Sequence, residues 1–137
     1  MSATVGDFII ERLHAWGAER IYGYPGDGIT GITSELRRAA EQVEFVQVRH
    51  EETAGFLAGA HVKYGGGAFG VCLVTSGPGA IHALNGLYDA KLDGQPVVAI
   101  LGQQARTVLG GSYYQEIDLQ SLYKDVAGSF CQTATHP

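Results

Sequence analysis

Val43–Tyr64, VEFVQVRHEETAGFLAGAHVKY, is the stretch on which the reading of the fold turns. Val43, Phe45, Val46 and Val48 suit a short buried strand, and Thr53 to Tyr64 suits a helix whose Ala and Gly residues let a second backbone approach closely. Glu51 and Glu52 stand at the join. Open α/β sheets place their ligands outside the carboxyl ends of parallel strands, so a carboxylate there is a candidate ligand-facing group. Acids are also favoured in a first helical turn, where the positive end of the macrodipole stabilises them by roughly 0.3 to 1 kcal/mol, and spacing alone does not decide between the two roles.

The chain has 137 residues, 45% hydrophobic and 17% charged, with a net charge of -5. That composition fits one globular domain with a proper core. An acidic chain without an arginine-rich stripe offers no attraction to nucleic acid or to an anionic membrane surface. No apolar run reaches the roughly 18 to 20 residues of a membrane span, and the acids Asp7 and Glu11 near the start are unlike a secretory signal. Cys72 and Cys131 form neither a metal-ligand pattern nor a disulfide framework, and buried, reduced thiols in a cytoplasmic protein are expected.

Outward from the central stretch, Val5, Phe8, Ile9, Leu13 and Trp16 recur at helical spacing between an N-cap at Thr4 and a stop at Gly17. Arg20–Tyr24 reads as a strand and Pro25-Gly26-Asp27-Gly28 as a tight turn. The next helix has an apolar stripe of Ile29, Ile32, Leu36 and Ala40 and a wet face of Glu35, Arg37, Arg38 and Glu41. Gly65-Gly66-Gly67 is a break, and Phe69–Val74 is apolar enough for a central parallel strand. Thr75-Ser76-Gly77-Pro78-Gly79 is a turn into a helix over Ala80–Leu92, with Ile81, Leu84, Leu87 and Tyr88 inward and Asn85 on the same buried stripe. Pro96–Leu101 is another buried strand. A loop from Gly102 to Gln115, a helix around Ile117–Val126 and a last strand near Ser129–Thr133 complete the order. Alternating helices and strands predict an open, mostly parallel sheet with helices on both faces, which gathers the turns at Pro25, Arg49, Thr75 and Gly102 on one edge.

Several chemistries fail on these residues. Gly77 and Gly79 are followed by His82 where a dinucleotide fingerprint needs its third glycine, and Leu101 is followed by Gly102-Gln103-Gln104 with no acid for a ribose. Val74 and Pro78 occupy the glycine positions of a nucleophile elbow around Ser76. Ala54 stands where a zincin would need a histidine after His50, and the remaining histidines lack ligand spacing, so no metal site is expected. Asn85 and Gln115 are each readable as a loop-ordering amide or as a ligand contact.

The pieces YGYPGDGI, VRHEETAGFLAGAH, VCLVTSGPGAIHALNGLYDAKLDGQPVVAILGQ and YYQEIDL, in this order, span most of the chain. Together they resemble the N-terminal pyrimidine-binding (PYR) domain of thiamine-diphosphate enzymes in the pyruvate oxidase and acetolactate synthase group. The resemblance implies a single PYR-type domain over residues 1–137, acting on a 2-oxo acid such as pyruvate by decarboxylation followed by oxidation or carboligation.

The family's glutamate after the histidine of its HE motif corresponds to Glu51, which the resemblance implies hydrogen-bonds N1' of the cofactor's aminopyrimidine. A carboxyl shared with that nitrogen favours the imino tautomer, able to remove the thiazolium C2 proton. Glu52 matches no required role. The resemblance implies cofactor contacts from Pro25, Gly26, Thr75, Ser76, Gly77, Pro78 and Gly79, with Asn85 as support, and a substrate-side role for Tyr114 and Gln115. Tyr114 departs from the commoner Phe. The histidine pair of the decarboxylase branch is absent from this region. Asp27 and its neighbour Gly28 match a turn that in some members touches substrate, and an Asx turn explains Asp27 equally well.

The family's diphosphate and Mg2+ are held by a second domain through a GDG followed by an asparagine. Gly26-Asp27-Gly28 has no such partner, because the only asparagine is Asn85, far along the chain. The resemblance therefore implies a piece of a longer enzyme, or one subunit of a split enzyme, with Mg2+ and in some members FAD bound elsewhere. Its partner would be the diphosphate-binding domain of a neighbouring subunit, within a homodimer or homotetramer, and the domain alone would be inactive. A non-catalytic oligomerisation or regulatory domain of the same fold is the alternative.

Overall fold

The computed structural model describes residues 4–128 together with 131 and 132. Helices and strands alternate: α1 (Val5–Ala15), β1 (Arg20–Gly23), a 3-10 turn (Asp27–Ile29), α2 (Thr30–Arg38), β2 (Glu44–Gln47), α3 (Glu51–Gly65), β3 (Gly70–Val74), α4 (Pro78–Leu92), β4 (Val97–Leu101) and α5 (Leu119–Tyr123). The four strands form one sheet in the order β2-β1-β3-β4, parallel throughout.

Side-chain alternation along the strands produces three layers. Ile21, Val71 and Leu73 join Ile10, Leu13, Ile29, Leu36 and Val43 beneath α1 and α2. Tyr22, Cys72 and Val74 face the opposite way and join Ala54, Ala58, Ala80, Ala83 and Leu87 of α3 and α4. Every residue of β3 is buried, as its uninterrupted apolar sequence predicts for a central strand. The helix boundaries follow local chemistry. Thr4 caps α1 reciprocally with Asp7, Gly66 closes α3 in the left-handed conformation at φ 72°, and Pro78 opens α4 where its missing N–H leaves nothing unpaired.

The structure corrects several expectations. In α1 the buried residues are Ile10 and Leu13, whereas Val5, Phe8 and Trp16 are exposed. Ala40 is exposed and Glu35, assigned to the wet face of α2, is only 5% exposed. It pairs with Arg38, which also lies 3.7 Å from Asp7. In α4 the buried face is Gly79, Ala80, Ala83, Gly86, Leu87 and Ala90, so Ile81 and Asn85 point outward. The reason is the α3–α4 contact: it is built from glycine and alanine, and larger side chains are turned away from it. β4 lies at the sheet edge and is half exposed rather than buried. Cys72 is buried but Cys131 is exposed, and both are free thiols. The helix expected over Ile117–Val126 is the shorter α5, docked by a hydrogen bond from the Tyr123 hydroxyl to the Ala80 carbonyl at 2.6 Å. In the strand expected at Ser129–Thr133, residues 129, 130 and 133 lie outside the described residues, and Cys131 and Gln132 are not in a strand. Among the described residues no helix is long and apolar enough to cross a membrane.

Candidate functional site

Because β1 is followed by β2 on one side and β3 lies on the other, the strand order changes direction between β1 and β3. In open parallel sheets the crevice outside the carboxyl ends at such a point is where ligands sit. The loops after β1, β2, β3 and β4 meet there, as their positions in the sequence predict.

Their approach is close enough to require glycine at specific places. The Gly28 amide donates to Thr75 Oγ1 at 3.3 Å, and a Cβ on Gly28 would fall 2.9 Å from that oxygen. Gly26 lies against the Thr75 side chain, Gly102 against the Gly28 carbonyl, and Gly79 against both Thr75 and Glu51. These glycines serve the packing of one loop on another. Asp27 is exposed at the rim, where its carboxylate accepts from the Gly28 amide at 2.9 Å, and Pro25 is exposed beside it. Ser76 is fully buried and its hydroxyl accepts from Gln104 Nε2 at 3.0 Å.

Glu51 opens α3, and its side chain is only 12% exposed. Its Oε2 lies 3.0 Å from His82 Nδ1, and its Oε1 faces Gly79, where a Cβ would sit 3.3 Å away. Among the described residues Oε1 takes no hydrogen bond. His50 caps α3 and stacks on His82, with ring centroids 4.5 Å apart and planes 27° from parallel. Glu52 points elsewhere and accepts from Asn85 Nδ2 at 2.8 Å. The two adjacent acids are thus each held by one side chain of α4. Cys72 lies under the site, where burial, with a contribution from the Glu51 charge, pushes its thiol up to about 12.

Gln115 is the strained member of the group. It has φ 60°, in the left-handed region that residues other than Gly and Asn rarely adopt, and a Cβ on Gly77, itself at φ 63°, would fall 2.8 Å from both the Cβ and the carbonyl oxygen of Gln115. Its Oε1 is buried without a hydrogen-bond partner among the described residues. The turn that holds it is organised by Glu116, whose carboxylate accepts from the Gly110 and Tyr113 amides at 2.5 and 2.8 Å, contacts that keep its pKa below the usual carboxylate range. Tyr114 is exposed.

Pro25, Gly26, Asp27, Gly28, Glu51, Thr75, Ser76, Gly77, Pro78, Gly79 and Gln115 therefore share one edge. Asn85 sits further along α4 on Glu52, and Tyr114 stands at the outer rim. Sequence reasoning missed His82 and Gln104. The available signal was the pairing of His82 and Asn85 three apart on one face of α4, matching two consecutive acids. His50, Glu51 and His82 place a potential ligand atom each within 4.8 Å of one another, although no sequence spacing announced it. Tetrahedral zinc with bonds of about 2.1 Å draws its donors to roughly 3.4 Å, and here the His82–Glu51 contact is already a hydrogen bond. The large open groove of about 1700 Å³ runs along β4 and the loops from Gly102 to Gln120, and Glu51 does not line it.

Glu51 thus has one oxygen held by His82 and the other facing Gly79 at the shared edge. The signature described as "Thiamine pyrophosphate enzyme, N-terminal TPP binding domain" matches residues 3–122. The chain is 49% identical over 124 residues to the putative thiamine pyrophosphate-containing protein YdaP of Bacillus subtilis, which covers 90% of this chain and 21% of that protein. It is 40% identical over 122 residues to a pyruvate oxidase of Lactiplantibacillus plantarum, covering 89% of this chain and 20% of the relative. An acetolactate synthase of Arthrospira platensis is 42% identical over 113 residues, 81% of this chain and 19% of the relative. The chain spans about a fifth of the length of these relatives. With the parallel sheet, the shared edge and this match in place, the chain belongs to the family of thiamine pyrophosphate enzyme N-terminal, TPP-binding domains.

Proposed function

We propose that this domain binds the aminopyrimidine half of thiamine diphosphate and serves an enzyme acting on a 2-oxo acid such as pyruvate, by decarboxylation followed by oxidation or carboligation. The observation that carries the reading is the Glu51 carboxylate, sequestered at the switch point with Oε1 free. When bound, the cofactor supplies an acidic thiazolium C2–H and an electron sink for loss of carbon dioxide. Glu51 Oε1 would hold and return a proton at N1' of the pyrimidine, work suited to a carboxyl group that can exist in both protonation states at one position. Thr75, Ser76 and Gly77 to Gly79 would form the floor beside the ring. Gln115 would offer its buried Oε1, without a partner among the described residues, on the substrate side, with Asp27, Gly28 and Tyr114 at the rim.

This chain has no counterpart of the residues that hold diphosphate and Mg2+ in the family it resembles. We assign those groups, and FAD where it is used, to another domain in the same assembly, and expect the cofactor site to close between the two. Ile81 and Tyr114, both exposed beside the edge, are apolar surface that such a domain would cover. Calorimetry tests the arrangement. The isolated chain is expected to bind thiamine diphosphate more weakly than micromolar and to leave pyruvate unchanged, whereas the assembly with its diphosphate-binding domain is expected to bind the cofactor at micromolar affinity or tighter and to turn pyruvate over. Micromolar binding or pyruvate turnover by the isolated chain would contradict it.

A further inference from the structure

From the geometry around Glu51 we infer that His82 is the positioning residue of this site: its Nδ1–H holds Glu51 Oε2, so that Oε1 alone is presented to the ligand. The inference rests on the role proposed for Glu51 and adds the group that aims it. A glutamate has three side-chain torsions, and an untethered carboxylate at a crevice would sample several of them. Here one oxygen is fixed at 3.0 Å by an imidazole, and the imidazole is fixed in turn. His50, which caps α3 and accepts from the Glu52 amide, stacks on the His82 ring with the planes tilted by 27°. Glu52, the adjacent acid, is held instead by Asn85, whose Nδ2 donates to it at 2.8 Å.

The inference commits His82 to a hydrogen on Nδ1, which the Nδ1–H tautomer and the cation both carry. An ionised carboxylate only accepts hydrogen bonds, so the ring nitrogen facing it must carry a proton. Asparagine places its Nδ2 where histidine has Nδ1, and Asn at 82 can therefore supply the same donor without the ring. Alanine cannot. Because the His82 side chain is 44% exposed, either replacement leaves the α3–α4 contact intact.

Two experiments decide the matter. On the 137-residue chain at pH 8, nitrogen NMR of the histidine rings, assigned by loss of the signal in His82→Asn, is expected to show hydrogen on His82 Nδ1. A bare Nδ1 with hydrogen only on Nε2 would overturn the inference. In the assembled enzyme, His82→Ala is expected to slow hydrogen–deuterium exchange at the cofactor C2 by about tenfold or more. Half-saturation by thiamine diphosphate should stay within about threefold, and His82→Asn should recover most of the lost rate. If Glu51→Gln abolishes exchange and His82→Ala leaves it unchanged, the positioning role is wrong and the Glu51 role stands. If Glu51→Gln itself has no effect, the reading beneath both is wrong.

Discussion

Gly55 of α3 and Gly86 of α4 pass back to back, so closely that a Cβ on Gly86 would fall 2.4 Å from the Phe56 amide nitrogen. A Cβ on Gly55 would fall 2.9 Å from the Ala83 carbonyl oxygen. This contact brings the start of α3 beside the first turns of α4, and with it Glu51 beside His82. No flexible side chain is available to yield, because the opposing atoms are backbone.

Gly86→Ala is accordingly predicted to destabilise the domain by about 2 to 3 kcal/mol, in the range of overpacking costs in well-packed interiors. Urea unfolding measures it. A loss under about 0.5 kcal/mol would mean that the two helices slide apart freely, and the placement of Glu51 would lose its structural support.

Asp7 links the cap of α1 to α2, and its interaction with the Glu35 side chain, then the Thr4 amide, lowers its pKa to about 2. Its folded value is thus below the roughly 3.9 of an unstructured aspartate. The sign follows from linkage: the stabilisation is present above pH 4 and is lost as pH falls through about 2. Unfolding midpoints measured from pH 6 to pH 2 should fall less steeply in Asp7→Asn than in the unaltered chain. Identical slopes would contradict the assignment.

Much of this architecture is legible in the amino acids. The all-apolar run Val71–Val74 announces a central strand, Gly65-Gly66-Gly67 ends α3, and the residue types flanking Pro25 and Thr75 mark the turns that meet at the edge. The α4 face was misread for a physical reason. Periodicity analysis weighs large apolar side chains, and Ile81 supplied one, but the tightest helix contact in the domain is made by Gly86, Ala83 and Gly79. Trp16 misled in the same way on α1. Nothing in the sequence of Val97–Leu101 distinguishes an edge strand from a central one, because that depends on what lies beside it. Glu51 was legible at its position on α3. Its tether was not, since His82 is 31 residues away and only tertiary packing joins them.

The backbone strain at Gln115 makes a prediction that separates folding from function. A left-handed conformation costs an ordinary residue about 1 to 2 kcal/mol, and glycine is free of that cost. Gln115→Gly is therefore expected to keep or raise the thermal midpoint, offset in part by its more flexible unfolded chain. In the assembled enzyme the same change should lower kcat/KM for the 2-oxo acid by about tenfold or more. A lowered midpoint with unchanged kinetics would contradict both halves.

Thiol reactivity checks the placement of the two cysteines. Cys131 is exposed, whereas burial pushes Cys72 up to about 12, leaving it without thiolate at neutral pH. A thiol-selective aromatic disulfide is expected to titrate one group per folded chain and two after unfolding. Two groups reacting quickly in the folded chain would show that β3 is not the covered central strand described.

The most direct measurement of the central claim is deuterium exchange at C2 of thiamine diphosphate in the assembled enzyme carrying Glu51→Gln. The substitution preserves size and removes the transferable proton, so exchange should slow by about a hundredfold or more while the unfolding midpoint of the domain stays unchanged. Exchange at the unaltered rate, in a folded and cofactor-loaded assembly, would contradict the account.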